Sequence, residues 1–158
     1  MAAQAAQAVQ EPEALFTAVN FNGLIAELNL PVQAYRVLMM LQEHQDPGGQ
    51  IVIAQERLGK LLGVSRSSVT SALAALDTAF LVHMKSYGVY QLNPMIAGYR
   101  TPGDAWDAIE AMADEMRLDD DDFVKLYRER VKKEESARNN RRRRSILRPV
   151  SSGLSAVS

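Results

Sequence analysis

Two helical periods separated by a glycine form the clearest pattern in the chain. Leu58, Leu61 and Leu62 make the apolar stripe of a short helix, and Gly63 follows as a residue able to close it in the left-handed conformation. Val64 is the apolar residue that the turn tucks inward. Ser65 is placed to cap a second helix, in which Val69, Ala72, Leu73 and Leu76 recur at helical spacing. The opposite face carries Arg66, Ser67, Ser68, Thr70, Ser71 and Ala74, all small or hydrogen-bonding apart from the arginine at its N-terminal end. A face of that kind is slim enough for a major groove and has donors near the end that points at base edges. The pattern predicts a helix-turn-helix. A plain helical hairpin with glycine in its turn explains part of it. The joint placement of glycine, turn valine, capping serine and apolar phase favours the DNA-binding form.

The flanking patterns build outward from this pair. Residues 1–12 are rich in Ala and Gln and read as disordered. Leu15 to Phe21 alternates weakly, as a short strand or a helical turn, and Asn22 is placed to cap a brief helix through Leu28. Pro31 opens a helix carrying Tyr35, Leu38, Met39 and Leu41 and ending near His44. Asp46-Pro47-Gly48-Gly49 is a turn, and the β-branched Ile51-Val52-Ile53 is a strand. After the helix pair, which runs to about Ala79, Phe80-Leu81-Val82 leads into a strand through Lys85. Ser86-Tyr87-Gly88 turns the chain, with Gly88 supplying a positive φ, and Val89 to Leu92 returns.

This order predicts a mainly α fold with a small β-hairpin wing, a winged helix-turn-helix over residues 13–100. Thr101-Pro102-Gly103 is then a hinge. Asp104 is expected to cap a helix through about Arg117, with Trp106, Ile109, Met112, Ala113 and Met116 on one face. Asp119 to Asp122 lead into another helix with Phe123, Leu126, Tyr127 and Val131 as its apolar residues. Residues 101–135 thus read as acidic amphipathic helices that dock on the domain or pair with a second subunit. Self-association is expected through Trp106, Ile109, Met112, Phe123 and Leu126. Residues 136–158 read as an arginine-rich disordered tail.

Charge sharpens this picture where the total conceals it. The 158 residues carry a net charge of −1. Residues 101–135 hold 12 acids against 6 bases, whereas residues 136–158 hold 6 arginines and no acid. A wholly basic arm suits phosphates. The candidate DNA contacts are therefore Gln55, Lys60, Ser65, Arg66, Ser67, Ser68, Thr70 and Ser71 in the helix pair, and Lys85 and Tyr87 at the wing. Arg138, Arg141, Arg142, Arg143 and Arg144 in the tail complete the set. The carboxylates of Asp119 to Asp122 read as complements to a helix dipole rather than as a metal site.

The chain has no cysteine, and so neither a disulfide framework nor a thiolate metal site. No apolar run reaches the length of a membrane span, and the N-terminus lacks the basic start of a secretory signal, so a cytoplasmic protein is expected. His44 and His83 form no metal-binding pattern, and no phosphate-binding glycine loop or nucleophile elbow is present. Neither enzymatic activity nor a cofactor is expected.

The segments LPVQAYRVLMML, GGQIVI, the helix pair and above all GVYQLNPMIAG resemble the RepL-type replication initiators of bacterial plasmids. In that family a hairpin strand runs into Asn-Pro, with an apolar residue or two and a glycine after it, as at Tyr90-Gln91-Leu92-Asn93-Pro94 and Gly98 here. The likeness covers roughly residues 15 to 100, and its helix-turn-helix part is shared with regulators of the MarR kind. Thr70 and Ser71 depart from it, standing where such helices often carry another Arg or Lys. So does Ala54, which stands where a Ser or Thr usually caps the first helix. The resemblance implies a sequence-recognising protein that binds double-stranded DNA at an origin and recruits host replication proteins, with a homodimer as the expected assembly. A dimeric transcriptional regulator of the same fold is the alternative, and a protein-interaction module that keeps the fold is a third.

Overall fold

The computed structural model of the protein describes residues 14–147. The disorder expected of residues 1–12 and the last part of the basic tail lie outside them. The described residues are mainly helical, with one three-stranded antiparallel sheet. Helices α1 (Asn22–Glu27) and α2 (Val32–Glu43) lead into strand β1 (Gln50–Val52). Helices α3 (Gln55–Leu62) and α4 (Arg66–Thr78) are followed by the hairpin β2 (Val82–Ser86) and β3 (Val89–Leu92). Helix α5 (Pro102–Ala111), a 3-10 turn at Asp114–Met116 and the long helix α6 (Phe123–Ile146) complete the described residues. No helix among the described residues is long and apolar enough to cross a membrane.

The sheet order is β1-β3-β2, so the returning strand of the hairpin is central. Ile51 pairs with Tyr90 and Tyr90 with Met84. That register puts Ile51 and Tyr90, both fully buried, on the face that meets the helices. Beneath it, Val37 and Leu41 of α2, Leu58 of α3, and Val69 and Leu76 of α4 are also fully buried. Burying an aliphatic side chain of this size contributes roughly 1.5–3 kcal/mol, and this one contiguous cluster orients both α3 and α4 against the sheet.

Both turns at the ends of the helix pair close by the same device. Gly63 takes φ 67°, with Val64 N–H donating to the Gly59 carbonyl at 2.9 Å and Gly63 N–H to Lys60 at 3.4 Å. Ser65 caps α4, its Oγ accepting from Ser68 N–H at 3.2 Å. At the other end of α4 the left-handed position is filled by Phe80, at φ 55°. The strain of a non-glycine residue there, of order 1–2 kcal/mol, is offset by the Arg130 guanidinium lying 4.1 Å over the Phe80 ring. Phe80 thus closes α4 just past its C-cap Ala79, and the strand that Phe80-Leu81-Val82 was expected to lead into begins at Val82 and runs to Ser86.

Other boundaries also moved. Asn22 is the first residue of α1 rather than its cap; its own N–H donates to Asn20 Oδ1 at 3.0 Å. The Leu15–Phe21 stretch contributes one antiparallel bridge, Phe16 to Tyr99. Ile53 falls just outside β1, where its N–H donates to the Gly88 carbonyl at 2.9 Å. Thr101, not Asp104, caps α5, accepting from Asp104 N–H at 3.1 Å. That helix stops at Ala111 rather than reaching Arg117, because Met112 turns extended and lets Leu118 bury itself on Met95, whose sulfur accepts from Leu118 N–H at 3.3 Å.

The basic segment is the largest correction. Residues 136–146, expected to be disordered, continue α6 without a break. Helix initiation is the costly step, and it is already met where Phe123 and Tyr127 bury against the core. Each further residue then adds at low cost, arginine is a good helix former, and the next proline is Pro149. Repulsion between neighbouring arginines is worth only tenths of a kcal/mol per pair, and Arg143 and Arg144 lie in the last turn, where the helix dipole favours cations.

Candidate nucleic-acid interface

Three elements meet at one exposed corner of the molecule. Arg66 is the first residue of α4, Glu56 lies in the first turn of α3, and Tyr87 is at the tip of the β2–β3 hairpin. Arg66 Nη2 donates to the Tyr87 hydroxyl at 3.0 Å, and Arg66 Nη1 stands 3.3 Å from Glu56 Oε1. The Tyr87 hydroxyl in turn donates to Glu56 Oε1 at 3.0 Å, which closes a ring of three side chains. The Arg66 guanidinium also lies 5.7 Å from the centre of the Tyr87 ring. Glu56's own backbone amide and then the Tyr87 hydroxyl hold its carboxyl below the usual range, while that same hydrogen bond raises the Tyr87 phenol.

The hairpin reaches this corner because of its turn and its register. Gly88 takes φ 75°, as expected of it, and the pairing slips between Met84 and Ser86 so that Lys85 has no partner across the strand. A bulge there twists the strand and turns the tip toward α4. Gly59 keeps α3 close to the turn, since a Cβ on it would stand 2.8 Å from the Val64 carbonyl oxygen.

The expected contact residues divide into groups. Ser65, Arg66, Ser67, Thr70 and Ser71 are exposed on the outer side of α4, Lys60 is exposed on α3, and Lys85 and Tyr87 are exposed on the hairpin. Ser68 is half-buried, its hydroxyl 3.0 Å from that of Ser65. Gln55 does not belong with them. It is buried, and its Oε1 accepts from Thr70 Oγ1 at 3.1 Å, so it joins α3 to α4 instead of facing outward.

Helix α6 brings in groups that local sequence patterns did not connect with α4. Thr78 Oγ1 donates to Glu134 Oε2 at 3.0 Å, and Arg130 Nε donates to the Thr78 carbonyl at 3.2 Å. A cleft of about 540 Å³ separates the two helices, with Thr70, Ser71 and Ala74 on one wall and Glu134, Glu135 and Arg138 on the other. The N-terminal end of α4 lies outside this cleft. Arg141, Arg142, Arg143 and Arg144 are exposed further along α6.

The association surface expected on the C-terminal helices divides within the chain, with Met112 half-buried against the core. Ile109 and Phe123 are buried in its own core, at 2% and 1% exposure, whereas Trp106 and Leu126 remain exposed. Sequence reasoning missed Glu56 altogether. Its only local signal is an acid in the first turn of a helix, and its partners lie 10 and 31 residues away. Comparison of this chain with family models, with curated proteins and with solved structures finds no match.

Proposed function

We propose that the protein binds duplex DNA through a winged helix-turn-helix of residues 13–100, with α4 as the recognition helix and the β2–β3 hairpin as the wing. In this reading it acts at an origin-type site, as the resemblance to RepL-type initiators implies. The observation that carries it is the convergence of Arg66 and Tyr87 at one exposed corner, where the N-terminal end of α4 and the hairpin tip face the same side. A helix N-terminus presents free amides and positive potential to phosphate, and arginine is the commonest reader of a guanine edge. Ser67, Thr70 and Ser71 leave the helix slim enough to enter a major groove.

The test is selection of a preferred duplex from a random pool, followed by titration of that duplex. Arg66→Ala is expected to lose about 1–3 kcal/mol of specific binding and to relax the preference at one position. Wild-type protein that binds no duplex at low salt overturns the proposal.

The basic half of α6 supplies affinity independent of sequence. Removing residues 136–158 deletes 6 arginines. The truncated chain is expected to keep its preferred duplex, bind it more weakly and show a salt slope shallower by about 1 for each phosphate that the arginines had neutralised. Equal or tighter binding after truncation assigns α6 the opposite role, with Glu134 and Glu135 screening Thr70 and Ser71.

A further inference from the structure

Glu56 is an acid on a surface proposed to meet phosphates, and stability alone does not explain its place there. The side chains of Arg66 and Glu56 are 59% and 49% exposed, and ion pairs that exposed add little to a fold. Yet the three members of the ring come from α3, α4 and the hairpin tip, and each touches the other two. The ring takes up one N–H of Arg66, on Nη2 toward Tyr87, and sets Nη1 in an ion pair with Glu56. Guanidinium has five N–H donors, so even with one turned toward Glu56 at least three remain, enough for a two-pronged contact with guanine O6 and N7 while the ring stays closed.

We propose that Glu56 is a positioning residue that sets the specificity of Arg66, assisted by Tyr87. This rests on the DNA-binding reading above. Held on two sides, Arg66 presents its remaining donors in one direction, toward a base edge. To reach a phosphate off that line it has to leave Glu56, and the abandoned carboxylate then faces the DNA backbone with a like charge. The cost of breaking the ring therefore falls on sequence-independent binding and is absent from the specific complex. Such an arrangement lowers affinity for random DNA while it preorganises the specific contact.

The experiment compares wild type, Glu56→Ala, Glu56→Gln, Tyr87→Phe and Arg66→Ala, together with the double variant of Glu56→Ala and Arg66→Ala. Each is titrated with the duplex selected by the wild-type protein and with a random-sequence duplex of equal length, across a series of salt concentrations. Glu56→Ala is expected to weaken the selected duplex several-fold and to bind the random one several-fold more tightly, so the specificity ratio falls about tenfold. Its salt slope on random DNA steepens by about 1, as Arg66 is freed onto a phosphate. Glu56→Gln keeps an oxygen acceptor without the charge and recovers part of the selected-duplex affinity. Tyr87→Phe moves in the direction of Glu56→Ala by a smaller factor. In the Arg66→Ala background, Glu56→Ala leaves the ratio and the slope where Arg66→Ala alone puts them.

An unchanged ratio in Glu56→Ala overturns the proposal, and so does an equal loss on both duplexes. A shift in the ratio that persists without Arg66 overturns it as well. Failure of wild type to bind any duplex removes the DNA-binding reading and this inference together. Wild-type binding that depends on Arg66 but not on Glu56 removes the inference alone.

Discussion

Replacing Asn93 by alanine lowers the free energy of unfolding by about 3–5 kcal/mol, the largest expected effect of any single polar truncation among the described residues. Asn93 is 1% exposed and uses both ends of its amide. Its Nδ2 donates to the Phe80 carbonyl at 2.9 Å and to the Met116 carbonyl at 2.8 Å, and its Oδ1 accepts from Met95 N–H at 2.9 Å. Those three bonds join the end of α4, the chain leaving β3 and the segment before α6. Alanine leaves two carbonyls and an amide short of a partner, and each unmet buried group costs roughly 1–3 kcal/mol. Partial entry of water keeps the sum below the simple total. Against a typical domain stability of about 5–15 kcal/mol the loss is large, and it corresponds to a fall in Tm on the order of 10 °C. Urea unfolding checks it: the midpoint should drop with the slope unchanged. A midpoint within a few tenths molar of wild type would mean that these bonds are replaced by water without loss.

Gly49→Ala costs about 2–5 kcal/mol, whereas Gly48→Ala, one residue earlier, costs about 1–2 kcal/mol. Both glycines have positive φ, 94° at Gly48 and 86° at Gly49, so both substitutions strain the backbone. What differs is the space around them. A Cβ on Gly48 meets nothing within 4 Å, while one on Gly49 stands 2.6 Å from the Ala97 Cβ and 3.1 Å from the Leu92 Cβ. Both contacts are with Cβ atoms fixed to the backbone, so the backbones of β3 and the following turn have to separate. That displacement disturbs the bond from Leu92 N–H to the Gly49 carbonyl, 2.9 Å, which anchors the end of the central strand. Thermal unfolding of the two variants side by side gives the comparison. Equal losses would show that the backbone conformation matters and the contact with Ala97 does not.

These two sites also explain why the segment from Tyr90 to Gly98 stood out in the sequence. Its Asn-Pro-to-Gly ending is built around structural contacts. Besides the bonds of Asn93, the Pro94 carbonyl accepts from the Tyr99 hydroxyl at 2.7 Å. Gly98 N–H donates to Gln45 Oε1 at 2.7 Å, and a Cβ on Gly98 would stand 2.8 Å from the Leu15 Cβ. The motif holds the sheet against both the start of the domain and the C-terminal segment. This Asn-Pro-to-Gly ending, one of the segments on which the proposed likeness to replication initiators rests, thus supports the proposed interface from below without lying in it.

The helical phase of α3 and α4, the Gly63 closure, the Ser65 cap and the Gly88 turn were all legible in the sequence. Each is decided within a few residues: an apolar stripe needs the right period, a cap needs a hydroxyl, and a left-handed turn needs a residue without a Cβ. Position in space depends on partners far along the chain, and there the sequence was silent or misleading. Gln55 looked like an outward contact, but burial at the start of α3 turned it toward Thr70. Phe80 read only as the lead into a strand, whereas in the fold it takes a left-handed turn at the end of α4 with Arg130, 50 positions later, stacked on its ring. Ile109 and Phe123 looked free to bind a second subunit, and the core of their own chain took them. The arginine segment has no apolar period, so it read as disordered, yet packing at Phe123 and Tyr127 supplies the helix initiation that the segment cannot supply for itself. Glu56 became part of the candidate site only because the hairpin folds its tip onto the N-terminal ends of α3 and α4. Local chemistry fixed the form of each element, and tertiary packing chose its neighbours, because burial and charge pairing act through space and not along the chain.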